Sequence, residues 1–224
     1  MGRRFAIAVW IFASLISTGP GESLLEEKGD AGSLAYFMDN DLYAGTDRYY
    51  THGGRIAWRS ASRTRSKLPG WAALMAYGLP HRPLADTAYQ FGISLNHEIY
   101  TPSEILIPTL QLDDRPYAGL LSLGFSIHSR NDNTLDSLEL AIGVVGPAAL
   151  GEEAQSVVHR IQSINEPEGW DNQLTNEPFI NLYYQKKWRL QGKQSANRSF
   201  SWDCIPQFGV SLGNVRTDAN AGIT

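Results

Sequence analysis

The chain has 224 residues, of which 42% are hydrophobic and 19% charged, so it is long enough to form one sizeable folded unit. The formal net charge of −4 supplies no basic field and excludes a nucleic-acid partner. The single cysteine, Cys204, excludes an intramolecular disulfide and a cysteine cluster that would hold zinc.

The start of the chain has the layout of a secretory signal. Arg3 and Arg4 precede an apolar run over residues 5–16, and small residues follow at about positions 17–21. A transmembrane anchor is the alternative, but the run is shorter than the roughly 20 residues that a spanning helix needs. We therefore expect a signal peptide over residues 1–21 and an exported domain over residues 22–224.

Oxygen-bearing side chains are concentrated in residues 37–54, which lie between two segments of alternating polarity. Asp39, Asn40 and Asp41 are hard donors of the kind that Ca²⁺ and Mg²⁺ prefer. The spacing does not fit an EF-hand loop, because Tyr43 takes a required ligand position. Since Asp and Asn also favour turns, the residues leave open a turn or a metal or catalytic site.

Period-two alternation dominates the rest of the chain and predicts β-strands. The clearest cases are residues 89–96 and 121–128, in which every second side chain is apolar. The intervening positions carry mainly Gly, Ser, Gln and Asn. Further strands are expected over residues 55–59, 138–144, 180–184 and 200–213, with a turn or another strand after residue 215.

Two all-β architectures fit this alternation. A soluble exported barrel or sandwich turns the apolar face inward, whereas an antiparallel transmembrane β-barrel turns it toward lipid. The export signal and the long strands favour the membrane barrel, as do aromatic residues near strand ends, namely Trp58, Tyr100, Tyr117, Trp188 and Trp202. About seven strands can be counted without a closing partner. Because an open edge leaves backbone groups unsatisfied in lipid, we expect the barrel to lack its C-terminal strands.

Two connections are too long for simple turns. Residues 60–86 are rich in Arg, Lys, Pro and Gly and are expected to form an exposed loop. Residues 146–178 contain a short amphipathic helix with apolar side chains at Leu150, Ala154, Val157, Val158 and Ile161. His159 lies one helical turn after Gln155, so both point to the same side. A histidine can serve as a general base, and a structural role is the alternative.

Arg115 lies just before Pro116, which favours an extended backbone ahead of a strand. Its guanidinium could bind a phosphate at the rim of a barrel, or it could pair with Asp113 or Asp114. The sequence contains no G-x-S-x-G elbow and no P-loop. A water activated by histidine, with a cation polarising the ester carbonyl, is therefore more natural chemistry than a covalent serine mechanism.

Taken together, the motifs resemble those of the outer-membrane lipid A 3′-O-deacylase family. The matching pieces, in the order of the family, are DND at 39–41, TDRYYTHG at 46–53, DRPYAG at 114–119, GVVGP at 143–147, GE at 151–152 leading to Gln155 and His159, GWDNQL at 169–174 and NEP at 176–178. Each motif alone is weak, but together they cover nearly all of the expected mature chain.

The resemblance implies a twelve-stranded outer-membrane barrel that removes the 3′-acyloxyacyl chain of lipid A with Ca²⁺. It implies that His159 is the base, and that Asn40 and Asp41 help to bind Ca²⁺ and form the oxyanion site. An acidic residue follows the histidine in the family; Glu166 fits best, with Asn165 or Glu168 as alternatives.

Further site residues and partners also follow from the resemblance. Thr46, Thr51 and Arg115 lie in matching motifs and are candidate substrate-binding residues. The implied partners are lipopolysaccharide and the outer membrane, and the implied state is a monomer. The competing functions are a calcium-dependent outer-membrane phospholipase or esterase, a non-catalytic ligand-binding membrane barrel, and a soluble exported binding protein.

Overall fold

The computed structural model describes residues 6–9, 31–40, 49–80, 87–191 and 203–223. In these ranges no helix is long and apolar enough to cross a membrane. The strands are β1 (Ala6–Val9), β2 (Ser33–Asn40), β3 (Tyr49–Arg59), β4 (Ala88–Thr101), β5 (Ala118–Arg130), β6 (Thr134–Val145), β7 (Glu177–Trp188), β8 (Leu190–Gln191), β9 (Asp203–Cys204), β10 (Pro206–Gly213) and β11 (Asp218–Ile223).

Nine of these strands form one sheet in the order β1-β2-β3-β4-β5-β6-β7-β10-β11, and β8 pairs with β9 separately. All neighbours from β2 to β11 in this sheet are antiparallel, whereas β1 pairs with β2 in parallel. The sheet does not close within the described ranges. β4, with 14 residues, and β5, with 13, exceed the roughly 9–11 residues that a membrane-spanning strand needs.

One face of the sheet is apolar and exposed. Ile93 and Leu95 on β4, Leu123 on β5, Ile142 on β6 and Leu182 on β7 are each 39–48% exposed. Strand register places Leu95, Leu123 and Ile142 in one row across three strands. A soluble barrel would bury this face, so the exposed apolar row is the arrangement of a membrane barrel.

The opposite face is polar and buried. Ser94, Asn96 and Ser122 are at most 9% exposed, although they alternate with the exposed apolar side chains. The Arg55 guanidinium donates two hydrogen bonds to the Glu139 carboxylate, with distances of 2.7 and 3.1 Å. This bidentate pair satisfies two charges inside the wall. The structure thus assigns the two faces that alternation alone leaves open.

Two helices cover the sheet near its opposite ends. α1 (Gly70–Met75) lies in the connection between β3 and β4, and α2 (Gly151–Gln162) lies between β6 and β7. The predicted helix after Gly146 is confirmed as α2. The expectation of an exposed loop over residues 60–86 is wrong for residues 70–79, because Ala72, Ala76 and Leu79 are buried against the sheet. Residues 81–86 lie outside the described part of the chain.

Two statements about the chain termini stay predictions. Of the expected signal peptide, residues 1–21, the structure describes only β1 and gives no information on cleavage. The described residues likewise do not test the expectation of twelve strands or the expectation that this chain lacks the C-terminal ones. The predicted strand over residues 200–213 is confirmed from β10 onward, and β11 confirms a further strand after residue 215.

Candidate functional site

The motifs singled out by the sequence meet at one end of the sheet, here called the α2 rim. β2 ends there at Asn40, β4 ends at Thr101 and β6 ends at Val145. The described connections that follow β4 and β6 are residues 102–117 and 146–176, which contain Arg115, His159 and Glu166, whereas residues 41–48 after β2 lie outside the described ranges. Antiparallel pairing therefore gathers residues that are far apart in sequence.

Close backbone approach lets α2 lie directly on the apolar face of the sheet. The Gly146 N–H donates to the Gly119 carbonyl at 2.9 Å, and Gly146 has a φ of 101° that favours glycine. A Cβ at Gly119 would lie 3.0 Å from the Gly151 nitrogen. A Cβ at Gly151 would lie 2.8 Å from the Trp170 ring. Glycine is therefore required where the helix begins.

The buried side of α2 consists of Gly151, Gln155 and His159, spaced four residues apart. Gln155 and His159 are each only 3% exposed, which confirms that they share one side. Three residues of the predicted apolar stripe, Leu150, Val157 and Ile161, are 54%, 48% and 78% exposed, whereas Ala154 packs beside Trp170. The helix thus packs through small and polar groups rather than through its large apolar residues.

The C-terminus of α2 sets the orientation of the His159 ring. Ser163 adopts a left-handed conformation with a φ of 56°, and the Ile164 N–H returns to the His159 carbonyl at 3.1 Å. This is a Schellman-type ending, which reverses the chain. The reversal brings the Asn165 carbonyl to 2.6 Å from His159 Nδ1. A carbonyl only accepts, so Nδ1 carries the proton and Nε2 carries the lone pair of the neutral ring.

Gln155 is held by the loop that follows α2. The Trp170 indole N–H donates to Gln155 Oε1 at 2.9 Å, and an indole nitrogen can only donate. This contact fixes the amide orientation and directs Gln155 Nε2 to the other side. That nitrogen is buried and has no hydrogen-bond partner within the described part of the chain. The Tyr117 ring packs against Trp170 with centroids 4.7 Å apart, which steadies the indole.

Two histidines on the apolar face of the wall lie next to this helix, and sequence reasoning gave them no role. His97 Nε2 lies 2.8 Å from the Ala149 carbonyl, just before α2. The His52 ring lies 6.3 Å from the His97 ring, and register places Asn40 opposite His52. Strand pairing therefore places Asn40 opposite His52, while His52 neighbours His97, which contacts the chain just before α2. Only the register of β2, β3 and β4 could have revealed this row.

The remaining predicted residues are less closely gathered. The Glu166 carboxylate is exposed and lies 3.8 Å from the Arg160 guanidinium. Arg115 is exposed in the connection between β4 and β5. Thr51 lies in β3 and Asn40 ends β2, but their side chains are not described. Asp41 and Thr46 lie outside the described residues.

The connection that carries Arg115 is ordered by its neighbour Asp114. The Asp114 carboxylate accepts hydrogen bonds from the Ser103 hydroxyl at 2.6 Å, the Ser103 N–H at 2.8 Å and the Arg115 N–H at 2.7 Å. The bonds from Ser103 are the main cause that lowers the pKa of Asp114. Asp114 thus braces the loop, and Arg115 follows from a fixed backbone position.

The predicted calcium ligands can be compared with the described side chains. Asn40, Asp41 and Glu166 all offer oxygen, which suits Ca²⁺ chemically. In the described ranges, however, no group of three or more His, Cys, Asp or Glu residues is placed to hold a metal ion. Only Glu166 of the three has a described side chain, and it faces Arg160. The donor chemistry fits the ion, while a complete ligand shell is not formed by the described residues.

Comparison with known proteins gives two matches. The family model described as "Outer membrane protein LpxR" matches residues 5–224. The fold is similar to that of LpxR from Salmonella typhimurium, with a TM-score of 0.57 and 21% sequence identity over 78% of this chain. The chain spans about half of that structure, 51% of its length. Comparison with curated protein sequences gives no significant match.

Proposed function

The chain belongs to the LpxR family of outer membrane proteins, and from this premise we propose that it is an esterase that removes the 3′-linked acyloxyacyl chain of lipid A. Its location is the outer membrane. The observation that carries the proposal is a buried histidine, oriented by a backbone carbonyl, on the apolar side of the barrel wall. A lipid that diffuses in the bilayer reaches that side without leaving the membrane.

The proposed reaction uses His159 as a general base. Nε2 takes a proton from a water molecule, whose oxygen attacks the acyl carbonyl. Nδ1 keeps its proton throughout, because the Asn165 carbonyl holds it and stabilises the imidazolium that forms. The same Nε2 then returns a proton to the sugar oxygen as the ester bond breaks. The products are a released acyloxyacyl acid and a sugar hydroxyl.

Amide donors are proposed to stabilise the oxyanion of the intermediate. Gln155 Nε2 is a buried donor without a described partner, one helical turn before the base and on the same side. A preorganised donor of this kind costs no reorganisation during reaction. Asn40, at the end of β2, is the second proposed donor. Thr46, Thr51 and Arg115 remain proposed substrate contacts, with Arg115 suited to a lipid A phosphate.

Calcium is proposed as a cofactor held by Asn40, Asp41 and Glu166. When bound, the ion would polarise the ester carbonyl. The fact that supports calcium is that all three residues offer oxygen donors. The monomeric state expected from the resemblance is a separate point and stays a prediction. Removal of Ca²⁺ with a chelator should abolish deacylation, and added Ca²⁺ should restore it. Full activity in the chelator would remove calcium from the proposal and leave the histidine chemistry standing.

The test of the function uses His159→Ala beside Gln162→Ala, an exposed residue on the same helix. Each variant is expressed in a Gram-negative host with hexa-acylated lipid A, which is then extracted and weighed by mass spectrometry. Wild type and Gln162→Ala should remove one acyloxyacyl unit, and His159→Ala should leave lipid A intact. Phospholipids are profiled in parallel, since loss of their acyl chains instead would identify a phospholipase.

A further inference from the structure

The segment of residues 60–80, here called the α1 segment, folds back along the apolar face of the sheet. The Trp71 ring packs edge-on against Phe91 of β4 and Phe125 of β5, with centroids 5.6 and 5.7 Å apart. These two phenylalanines share the face of the exposed residues Ile93 and Leu123. The segment therefore lies on the membrane side of the wall, at the end opposite α2.

The α1 segment has a second apolar surface that turns away from the sheet. Its inner side is buried, where Ala72 and Ala76 pack against Ile127 and Leu138. Its outer side carries Leu74 and Tyr77, which are 72% and 77% exposed. Because the sheet face beneath is the lipid-facing one, this outer surface continues the same membrane interface.

The α1 segment is also purely basic. Arg63, Arg65 and Lys67 precede the helix, and residues 60–80 contain no Asp or Glu, in a chain whose net charge is −4. Arg63 and Lys67 are exposed, and the Arg65 guanidinium lies 4.5 Å from the centre of the Tyr77 ring. Cations beside Trp and Tyr, next to an apolar surface, are the composition of an interfacial membrane anchor.

We propose that the α1 segment is a lipid-binding surface for anionic phospholipids. Leu74 and Tyr77 insert among the acyl chains at the membrane surface, while Arg63, Arg65 and Lys67 bind the phosphate groups of the lipid heads. The membrane leaflet that the α1 segment meets follows from its position at the end of the sheet opposite His159. The proposed function places His159 at lipid A in the outer leaflet, and on that basis alone the α1 segment meets the periplasmic leaflet.

The insertion is tested with a single environment-sensitive dye. Leu74→Cys is labelled in a Cys204→Ser background, in protein reconstituted into vesicles of phosphatidylcholine with and without phosphatidylglycerol. Asp132→Cys is the matched control, because Asp132 lies in the exposed turn between β5 and β6 at the same end of the sheet. The dye at position 74 should be shielded from an aqueous quencher, and the dye at position 132 should be quenched fully.

The charge selectivity is tested with brominated lipids. Brominated phosphatidylglycerol should quench the dye at position 74 more strongly than brominated phosphatidylcholine. The double variant Arg63→Gln/Lys67→Gln should lower the preference about 25-fold and leave the contribution of Arg65, since each basic residue near an anionic surface contributes a factor of about five, from roughly 1 kcal/mol. The exchange variant Arg63→Lys/Lys67→Arg, which keeps both positive charges, should retain the preference.

Three results would overturn the proposal. The first is aqueous quenching at position 74 equal to that at position 132. The second is equal quenching by the two brominated lipids, and the third is a preference that Arg63→Gln/Lys67→Gln does not reduce. Heat-modifiable migration in gel electrophoresis confirms that each variant is folded. The vesicles contain no lipid A and no turnover is measured, so these outcomes are independent of the deacylase proposal.

Discussion

α1 and α2 rest on the same apolar face of the sheet, at opposite ends, and contact it in opposite ways. α1 packs through Trp71, Ala72 and Ala76, which is how a helix normally adds stability. α2 places Gln155 and His159 against the wall and leaves Val157 and Ile161 exposed. Burial of polar groups costs free energy unless they are hydrogen-bonded. The comparison therefore separates a helix that stabilises the fold from one that holds the proposed catalytic groups, Gln155 and His159, against the wall.

Removal of the largest α1 contact should give the largest change in stability. Trp71→Ala deletes a ring that packs between two phenylalanines, and we expect a loss of about 3 kcal/mol in the free energy of unfolding. Deacylation per folded molecule should stay at the wild-type level, because α2 lies at the other end. Urea unfolding in detergent micelles and a lipid A assay on the folded fraction measure both quantities. A stability unchanged within error would show that α1 does not support the fold.

Displacement of α2 should instead lower the deacylation rate. Gly151→Leu forces a side chain into the space occupied by the Trp170 ring, so the helix must shift on the sheet. A misplacement of about 1 Å can lower a reaction rate by about 100-fold. Gly70→Ala at the start of α1 is the matched control, because a Cβ there meets nothing within 4 Å. The same assay compares the two, and equal rates would show that the seating of α2 does not matter.

Substitutions at the C-terminus of α2 should have the smallest effects. Ser163→Gly suits the left-handed backbone and should keep or slightly raise stability, whereas Ser163→Val should lose about 1 kcal/mol. Since the same turn presents the Asn165 carbonyl to His159, Ser163→Val should also lower the deacylation rate. Rate and stability are measured on both variants. A Val variant with the wild-type rate would mean that this turn does not orient the ring.

Much of the fold could be predicted from the sequence, because strand alternation and the α2 periodicity are local patterns. β4 and β5 were predicted in place, and so was the shared side of Gln155 and His159. Alternation is symmetric, however, and could not tell which face meets lipid. The exposed row through Leu95 and Leu123 decides it only in three dimensions.

Other features depend on contacts between distant residues, which no local pattern contains. Pro69 and Gly70 made the α1 segment resemble a loop, although Trp71 fixes it to two strands. The apolar periodicity of α2 predicts a helix but not its buried side, and Gly119 and Gly151 bring the polar side against the wall. The positions of His52 and His97 beside α2 follow only from strand register. The predicted roles of Asp41 and Thr46 stay predictions, because both residues lie outside the described part of the chain.

We infer that the buried side of α2 performs chemistry while that of α1 provides stability. The most direct measurement compares His159→Ala and Trp71→Ala in one experiment, with lipid A conversion per folded barrel determined by mass spectrometry. We expect His159→Ala to be fully folded and inactive, and Trp71→Ala to be destabilised and active at the wild-type rate per folded molecule. Wild-type conversion by folded His159→Ala would contradict this division of roles between the two helices.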